Sequence, residues 1–341
     1  MPNYWLISDR NNGGTGTERN VAGLTFFVSD NGPLNNITSW EKVSPTKFRT
    51  LLAQAADAFP ALPPEQNEKQ SHVTILLHGF NVSFESSTLF YQDMYNRLFA
   101  GPDSLGLCIL YDWPSLGNVL SYEPDRAHAR ECADDLTNIL STLFDWLIKK
   151  QDTAIKSKGD PTKACKAKVS VIAHSMGNYL LQKAMAAAWT RKNQPLLVTL
   201  INQLLMVAAD VDNNLFDAGA PDNDDGAAMV NLTYRITALY SGRDAVLGAS
   251  AGLKHFGTRR LGRSGLAHRP PQVTTQPETD NVWDVDCSNF FPAEVNGASI
   301  HGAYFDTPAT IELMRKILRG IDRTVLTNSG ATTGQNPPAK A

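Results

Sequence analysis

The sequence predicts an α/β fold in which helices cover both faces of a mostly parallel, doubly wound sheet. Short apolar runs recur from residue 73 onward, and they are continuous, as strands buried on both faces must be. Segments with helical spacing separate these runs, which is the pattern of repeated βα units. Because right-handed crossovers point parallel strands the same way, their carboxyl ends should share one edge, where sites form.

The predicted elements begin with two strands, in YWLISDRN and LTFFVSD, and a helix in KFRTLLAQAADAF. Residues 125–147 and 177–189 place apolar side chains on one stripe, which predicts helices packed on the sheet. About 25 residues separate the fourth and fifth buried strands, so we expect an open cleft without a large cap domain. The buried strands are VTILL (73–77), LCILY (107–111), VSVIA (169–173), LLMVA (204–208), ITALY (236–240) and VWDV (282–285).

Three regions follow from this reading of the chain. Residues 1–70 should add strands and a helix to the sheet, or alternatively pair with another subunit. Residues 71–325 should form the main catalytic domain. The last stretch, TNSGATTGQNPPAKA, is small and polar, which predicts a disordered tail over residues 326–341.

Composition excludes several classes of protein. The 341 residues are 42% hydrophobic, enough for a large core, and a net charge of −3 does not favour nucleic-acid binding. There is no apolar run of membrane-spanning length.

The N-terminus lacks a basic segment followed by an apolar one, so we expect a cytoplasmic location, with a removed leader as the alternative. None of the four cysteines pair as CxxC, so we expect reduced thiols and no zinc site.

The stretch KVSVIAHSMGNYL contains the strongest catalytic candidate. Ser175 follows a buried strand and precedes a helix, which is the context of a nucleophile elbow, a sharp turn that presents a serine hydroxyl. The residues two before and two after the serine must be small, and they are Ala173 and Gly177. The alternative is an ordinary serine in a strand-to-helix loop.

A serine hydroxyl needs a base to remove its proton, and in this type of fold the base is a histidine late in the chain. His301 follows the last predicted strand across one loop, so we predict that it is the base. The alternatives, His255 and His268, sit in a stretch rich in glycine and arginine with no strand leading into it.

The acid that orients this histidine should lie between the serine and the histidine in the chain. Asp244 follows the strand ITALY at its carboxyl end, and we predict that it is the acid. Asp210 and Asp212, after LLMVA, are the alternatives, with a helix-capping or loop-holding role as their other reading.

An oxyanion hole needs two backbone N–H groups that point at the developing negative charge. One should come from Met176, the residue after the serine. The other should come from Phe80, because His78-Gly79 makes a tight turn after the strand VTILL. We expect His78 itself to form structural hydrogen bonds.

Two further features bear on substrate. Tyr111 and Trp113 end a strand beside the expected site, where they line a pocket or belong to the core. The stretch 248–280 is long enough to lie over one side of the site. It is either a solvated basic loop or a surface that attracts an anionic substrate through Arg259, Arg260, Arg263 and Arg269.

With these motifs in order, the chain resembles the α/β-hydrolase superfamily, and within it a bacterial branch catalogued as a domain of unknown function. The resemblance spans roughly residues 70–315. It implies the α/β-hydrolase fold and a Ser-His-Asp hydrolase, and Ser175, Asp244 and His301 fall on its three positions. The matching stretches are LLHGFNVSFE, YDWPSLG, VIAHSMGNYLL, AADVD, YSGRDAVL and His301-Gly302-x-Tyr304-Phe305.

The simplest hypothesis is a carboxylesterase that acts on a small-molecule or polymeric ester through an acyl-enzyme, without a metal or organic cofactor. A lipase, amidase, thioesterase or acyltransferase would use the same three residues. A binding module without turnover is the third hypothesis, since fold alone does not dictate function. The sequence does not indicate the oligomeric state.

Overall fold

The computed structural model describes residues 1–60, 62, 64–116, 122–157, 166–191, 199–268 and 281–334. Nine strands form one sheet in the order β3-β2-β1-β5-β4-β6-β7-β8-β9. The strands are β1 (Tyr4–Ser8), β2 (Thr25–Ser29), β3 (Glu41–Val43), β4 (His72–Leu77), β5 (Gly106–Asp112), β6 (Lys168–His174), β7 (Ile201–Val207), β8 (Thr233–Tyr240) and β9 (Val282–Asp286).

The predicted fold class is confirmed. Strand β1 and strands β4 to β9 pair in parallel, while β2 and β3 run antiparallel at one edge. The chain passes from β4 to β5 on one side and then returns to β6 on the other. Strand β4 is therefore the point where the strand order reverses, and a crevice forms beyond the carboxyl ends of the strands at such a point.

Helices cover both faces of the sheet. The first face packs against α1, α3, α4 and α5, and the second packs against α2, α8 and α9. Successive strand residues such as Ile75 and Leu76 point to opposite faces, so both faces are apolar. The helices are α1 (Pro45–Asp57), α2 (Phe84–Met94), α3 (Tyr122–Lys156), α4 (Gly177–Arg191), α5 (Asn223–Leu232), α6 (Ala245–Ala249), α7 (Leu261–Ser264), α8 (Ile300–Ala303), α9 (Pro308–Leu318) and α10 (Arg323–Asn328).

All six continuous apolar runs form strands that are longer than predicted, although β7 ends at Val207, one residue before its predicted end. Strand β3 was not predicted, because two of its three residues are exposed and polar. Between β7 and β8 the helix α5 is joined to the strands by turns and loops, without a cap domain. No helix in the described ranges combines the length and the apolar character needed to cross a membrane.

The prediction of a disordered tail from residue 326 is wrong for its first part. Leu326 is buried within α10, and turns continue to residue 334, where the chain packs near Phe290. Because most residues of this stretch are small and polar, its composition did not indicate that the apolar side chain of Leu326 anchors it. Residues 335–341 lie outside the described part of the chain. Of the four cysteines, Cys108, Cys132 and Cys287 are free and buried, and Cys165 also lies outside.

Candidate active site

Ser175 lies on a sharp turn between β6 and α4. Its φ is +52°, a left-handed backbone conformation that is strained for a residue other than glycine. The turn is held from both sides: the Ser175 N–H donates to the Val207 carbonyl at 3.0 Å, and its carbonyl accepts from the N–H groups of Asn178 and Asp210 at 3.1 Å each. The local backbone therefore has the strained turn expected of a nucleophile elbow.

Two glycines allow the elbow to contact the loop after β4. A Cβ at Gly177 would lie 2.5 Å from the His78 carbonyl oxygen, and a Cβ at Gly79 would lie 2.9 Å from Cβ of Ser175. Both distances are too short for any other residue without a shift of the neighbouring atoms. The small residue two positions after the serine is thus required by the approach of α4 to the end of β4.

His301 and Asp244 form a direct pair. Nδ1 of His301 lies 2.8 Å from Oδ2 of Asp244, a fully buried carboxylate whose other oxygen accepts from the Leu247 N–H at 3.0 Å. Because a carboxylate only accepts, the ring proton sits on Nδ1 and leaves a lone pair on Nε2. That Nε2 is buried and has no hydrogen-bond partner among the described residues. A free Nε2 opposite an anchored Nδ1 is the state that a general base needs.

The residue before the serine holds His301 beside the elbow. Nε2 of His174 lies 3.0 Å from the His301 carbonyl oxygen, and the two rings are 4.8 Å apart. A carbonyl only accepts, so His174 donates from Nε2. Burial lowers the pKa of His174 to about 3, which keeps the ring neutral at physiological pH. The strand that ends beside Ser175 thereby also positions His301.

Two backbone N–H groups at this site are free. Neither Phe80 nor Met176 donates its backbone N–H in a hydrogen bond to another described residue. Phe80 belongs to the loop that contacts the turn at Ser175, and Met176 follows Ser175. The loop is bent by Asn81, which has a φ of +61° and donates its N–H to Asp125 Oδ2 at 3.2 Å. Unpaired donors at this position can hold an oxyanion.

A buried arginine from the N-terminal segment braces the same loop. Nε of Arg10 lies 2.8 Å from Asp112 Oδ2, and Nη2 donates to the Val82 carbonyl at 2.9 Å. The other oxygen of Asp112 accepts from His78 Nε2 at 2.9 Å. Burial works to raise the pKa of Asp112, but Arg10 and His78 outweigh it and hold that pKa below its usual value. The ion pair therefore fixes both ends of the loop that carries Phe80.

Tyr111 and Trp113 belong to the core beneath the site. Both are completely buried. The Trp113 ring stacks on His78 at 5.2 Å and its Nε1 donates to the His78 carbonyl at 3.0 Å, while the Tyr111 hydroxyl donates to Asp9 at 3.0 Å. Since no part of either ring faces open space, this corrects the expectation that they line a substrate pocket.

The alternative acids bind an arginine. Asp210 Oδ1 accepts from Arg260 Nε at 2.8 Å, and Asp212 pairs with the same guanidinium. Asp210 also accepts from the Tyr122 hydroxyl at 2.6 Å. Among the described residues, the carboxylate that meets His301 is that of Asp244. Of the alternative bases, His268 lies 2.6 Å from Asp217 on the surface.

Within residues 248–268, the described part of the long stretch, some side chains pack beside the site, while residues 256–259 are exposed to solvent. Arg260 is completely buried, and Arg263 donates to the Asp244 carbonyl. His255 reaches Tyr122, whose ring meets Phe80 edge-on at 5.6 Å. Arg259 is exposed, and Arg269 lies outside the described residues. Two of the four arginines are therefore structural.

The site is closed. Only 1% of the Ser175 surface is exposed to solvent, and Nε2 of His301 is inaccessible. The expected open cleft is wrong for this structure. The lack of a cap domain between β7 and β8 did not predict this, because Ser175 is buried without one. Within the described ranges, no group of three or more His, Cys, Asp or Glu side chains could hold a metal ion.

Residues 64–319 match the model of a family described as alpha/beta hydrolase of unknown function (DUF900). The match covers about three quarters of the 341 residues. The chain belongs to this family. The resemblance inferred from LLHGFN and AHSMG is thereby confirmed at the level of family and fold.

Individual relatives of this alpha/beta hydrolase are distant. The uncharacterized protein alr1448 of Nostoc sp. is 24% identical over 311 residues, covering 74% of this chain and 75% of its own. Aspergillus fumigatus lipase B has a TM-score of 0.40 and 12% identity, covering 97% of this chain and 69% of its own. A putative cell surface hydrolase from Lactobacillus plantarum has a TM-score of 0.38 and 8% identity, covering 77% and 98%. Structural similarity this low carries no argument about activity.

Sequence reasoning missed two residues that shape the alpha/beta hydrolase site. Arg10 precedes the matched family region entirely. Arg243, beside Asp244, donates to the carbonyl oxygens of Ser288, Phe291 and Pro292 at 3.0, 2.8 and 3.1 Å, and so holds the loop that leads to His301. The signal for Arg243 was present in SGRD, where an arginine directly precedes the predicted acid.

Proposed function

We propose that this alpha/beta hydrolase is a serine hydrolase that cleaves carboxylic esters through an acyl-enzyme. The observation that carries the proposal is the state of His301. Its Nδ1 is bound to the buried Asp244, and its Nε2 is unpartnered beside the strained turn of Ser175. A histidine with one nitrogen fixed and the other free, next to such a serine, is a base with a defined proton to accept.

In the first half of the reaction, Ser175 Oγ attacks the ester carbonyl carbon while its proton passes to His301 Nε2. Asp244 stabilises the resulting imidazolium. The carbonyl oxygen becomes an oxyanion and accepts hydrogen bonds from the N–H groups of Phe80 and Met176. The tetrahedral intermediate then collapses, His301 returns the proton to the alcohol oxygen, and the acyl group stays on Ser175.

In the second half, a water molecule loses a proton to His301 Nε2 and attacks the acyl carbon. The same two N–H groups hold the second oxyanion. Collapse releases the carboxylic acid, and the proton on His301 returns to Ser175 Oγ. The cycle consumes one water and uses groups of the chain alone.

The closed structure is compatible with this scheme. Among the described residues Ser175 Oγ donates no hydrogen bond, so one to His301 Nε2 has to form when substrate enters. Hydrogen bonds of this kind are often long in enzymes without substrate. Because only 1% of Ser175 is exposed, neighbouring side chains have to move before an ester can reach it.

Turnover of p-nitrophenyl acetate by purified protein tests the proposal. Wild type and Ser86→Ala, a change at an exposed serine on α2, should hydrolyse the ester with the same rate. Ser175→Ala should lower kcat by roughly 10⁶. A triglyceride, an anilide and an acyl thioester in parallel would separate lipase, amidase and thioesterase activity. Absence of turnover of every substrate by folded wild type would favour a binding module.

A further inference from the structure

A cavity of about 250 Å³ lies far from Ser175, between α1 and α3. Its floor is the first face of the sheet, near the amino ends of β4 and β6. Six residues of extended strand separate Val169 from Ser175, which is roughly 20 Å. The principal apolar walls are Phe48 and Leu52 from α1, Leu143 and Trp146 from α3, and Ile75 and Val169 from the sheet.

The cavity exists because α1 is anchored on either side of a stretch that does not fill the space beneath it. Phe48 and Ala56 are buried, while Leu52 and Ala53 between them remain partly exposed. Across the gap, Leu143 of α3 is partly exposed as well. Protein interiors are normally packed without such voids, and an accessible apolar groove marks a place where a ligand binds.

One cationic side chain, that of Arg49, lines this apolar cavity. Arg49 of α1 is exposed and lines the cavity, and it has no ion pair or hydrogen bond with any described residue. The other polar lining groups, Asn138 and Thr142, are neutral, and the Thr142 hydroxyl donates to the Asn138 carbonyl at 2.8 Å. A free guanidinium beside an apolar slot complements a molecule with one anionic end and an apolar chain.

We propose that this cavity binds a medium-chain aliphatic carboxylate, with its chain between α1 and α3 and its carboxylate on Arg49. The size agrees with this class. An apolar cavity of about 150 Å³ holds benzene, so in proportion the space here holds roughly ten carbon atoms. The site is built partly by α1, which precedes the matched family region, and it is independent of the chemistry at Ser175.

Calorimetric titration of the Ser175→Ala protein with decanoate and with decanol tests the site without any turnover. Both ligands should bind, because both place an apolar chain in the cavity. Arg49→Gln should weaken decanoate roughly tenfold to hundredfold, since it removes a charge-assisted bond, and should leave decanol unchanged. Ala53→Phe fills the cavity and should weaken both ligands at least tenfold. Gln54→Phe, on the exposed side of α1, is the matched control and should alter neither.

A second filling variant, Leu143→Trp, approaches the cavity from α3 and replaces Ala53→Phe if that protein does not fold. The proposal is overturned if neither ligand binds at millimolar concentration. It is also overturned if both filling variants bind decanoate as tightly as the parent protein, because the ligand would then occupy another place. Equal loss of decanoate and decanol in Arg49→Gln would contradict the assigned position of the carboxylate.

Discussion

The carboxyl edge of the sheet and the face beneath α1 differ in polarity and in packing. At the edge, buried charges are paired with partners far away in sequence, as Arg10 is with Asp112 and Arg260 with Asp210. Beneath α1, the lining is almost wholly apolar and part of the space is unfilled. At the edge, the paired charges fix the geometry of the loops, although removing those charges from water is unfavourable. Beneath α1, the unfilled space leaves room for a ligand, although it lowers the packing contribution to stability. The difference predicts that substitutions at the edge will act mainly on rate, and substitutions at the face on stability and binding.

The largest expected effect is at the edge. Asp244→Asn should lower turnover of a p-nitrophenyl ester by about 10⁴, because an amide holds His301 in the wrong tautomer and cannot stabilise its cation. Asp212→Asn is the matched control, since that carboxylate binds Arg260 instead, and it should lower turnover less than tenfold. Steady-state kinetics on the two proteins measures this. A loss of only tenfold in Asp244→Asn would remove Asp244 from the mechanism.

A smaller effect is expected at Arg10, which we propose positions the loop that carries Phe80 without touching the substrate. Arg10→Ala should lower kcat by about 10²-fold, the cost of losing one donor of an oxyanion hole, with KM little changed. Added guanidinium ion should restore part of kcat by occupying the space beside Asp112. Equal changes in kcat and the folded fraction, without rescue, would show that Arg10 acts on stability alone.

Asp9 is the exception at the edge, because this carboxyl is buried and its Oδ1 has no hydrogen-bond partner among the described residues, with Arg19 Nε 3.9 Å away. Burial raises its pKa from 3.8 to about 7. The folded state therefore holds a proton that the unfolded state releases, and the stability associated with it is lost as pH rises through 7. Between pH 5 and pH 8, the free energy of unfolding of wild type should fall by about 2–3 kcal/mol relative to that of Asp9→Asn.

Urea unfolding of both proteins at the two pH values measures this difference. Subtracting the variant cancels the opposite contribution of His72 and His174, whose pKa values burial lowers to about 3. Parallel pH profiles for the two proteins would mean that Asp9 is ionised in the folded state throughout.

The smallest effect is expected at the face beneath α1. Ala53→Leu adds apolar volume to the empty cavity and should stabilise the ligand-free protein by about 0.5–2 kcal/mol, with esterase activity unchanged. Chemical denaturation and p-nitrophenyl ester turnover measure the two properties. A destabilised Ala53→Leu protein would show that this space is already filled by neighbouring side chains.

Much of the fold could be predicted because it depends on local patterns. Continuous apolar runs identify β4 to β9, and the small residues around Ser175 follow from the steric limits of one turn. The order of serine, acid and histidine leads to Asp244 and His301 because parallel strands end at one edge.

The contacts of Arg10 with Asp112 and with the loop after β4 could not be predicted in the same way. Arg10 and Asp112 are 102 residues apart, and they meet only because β1 pairs with β5. A buried arginine looks like a surface arginine in the sequence, which is why the basic stretch after residue 248 gave no sign that Arg260 is structural. The position of Tyr111 and Trp113 could not be predicted either, since aromatic residues at the end of a strand occur both in the core and in pocket walls.

Intact-mass analysis after treatment with a fluorophosphonate tests the central claim most directly, on wild type and on Ser175→Ala. The account predicts a single adduct on wild type and none on the variant, because His301 and the elbow activate one serine. Labelling of Ser175→Ala to the same extent, or no adduct on well-folded wild type, would contradict it.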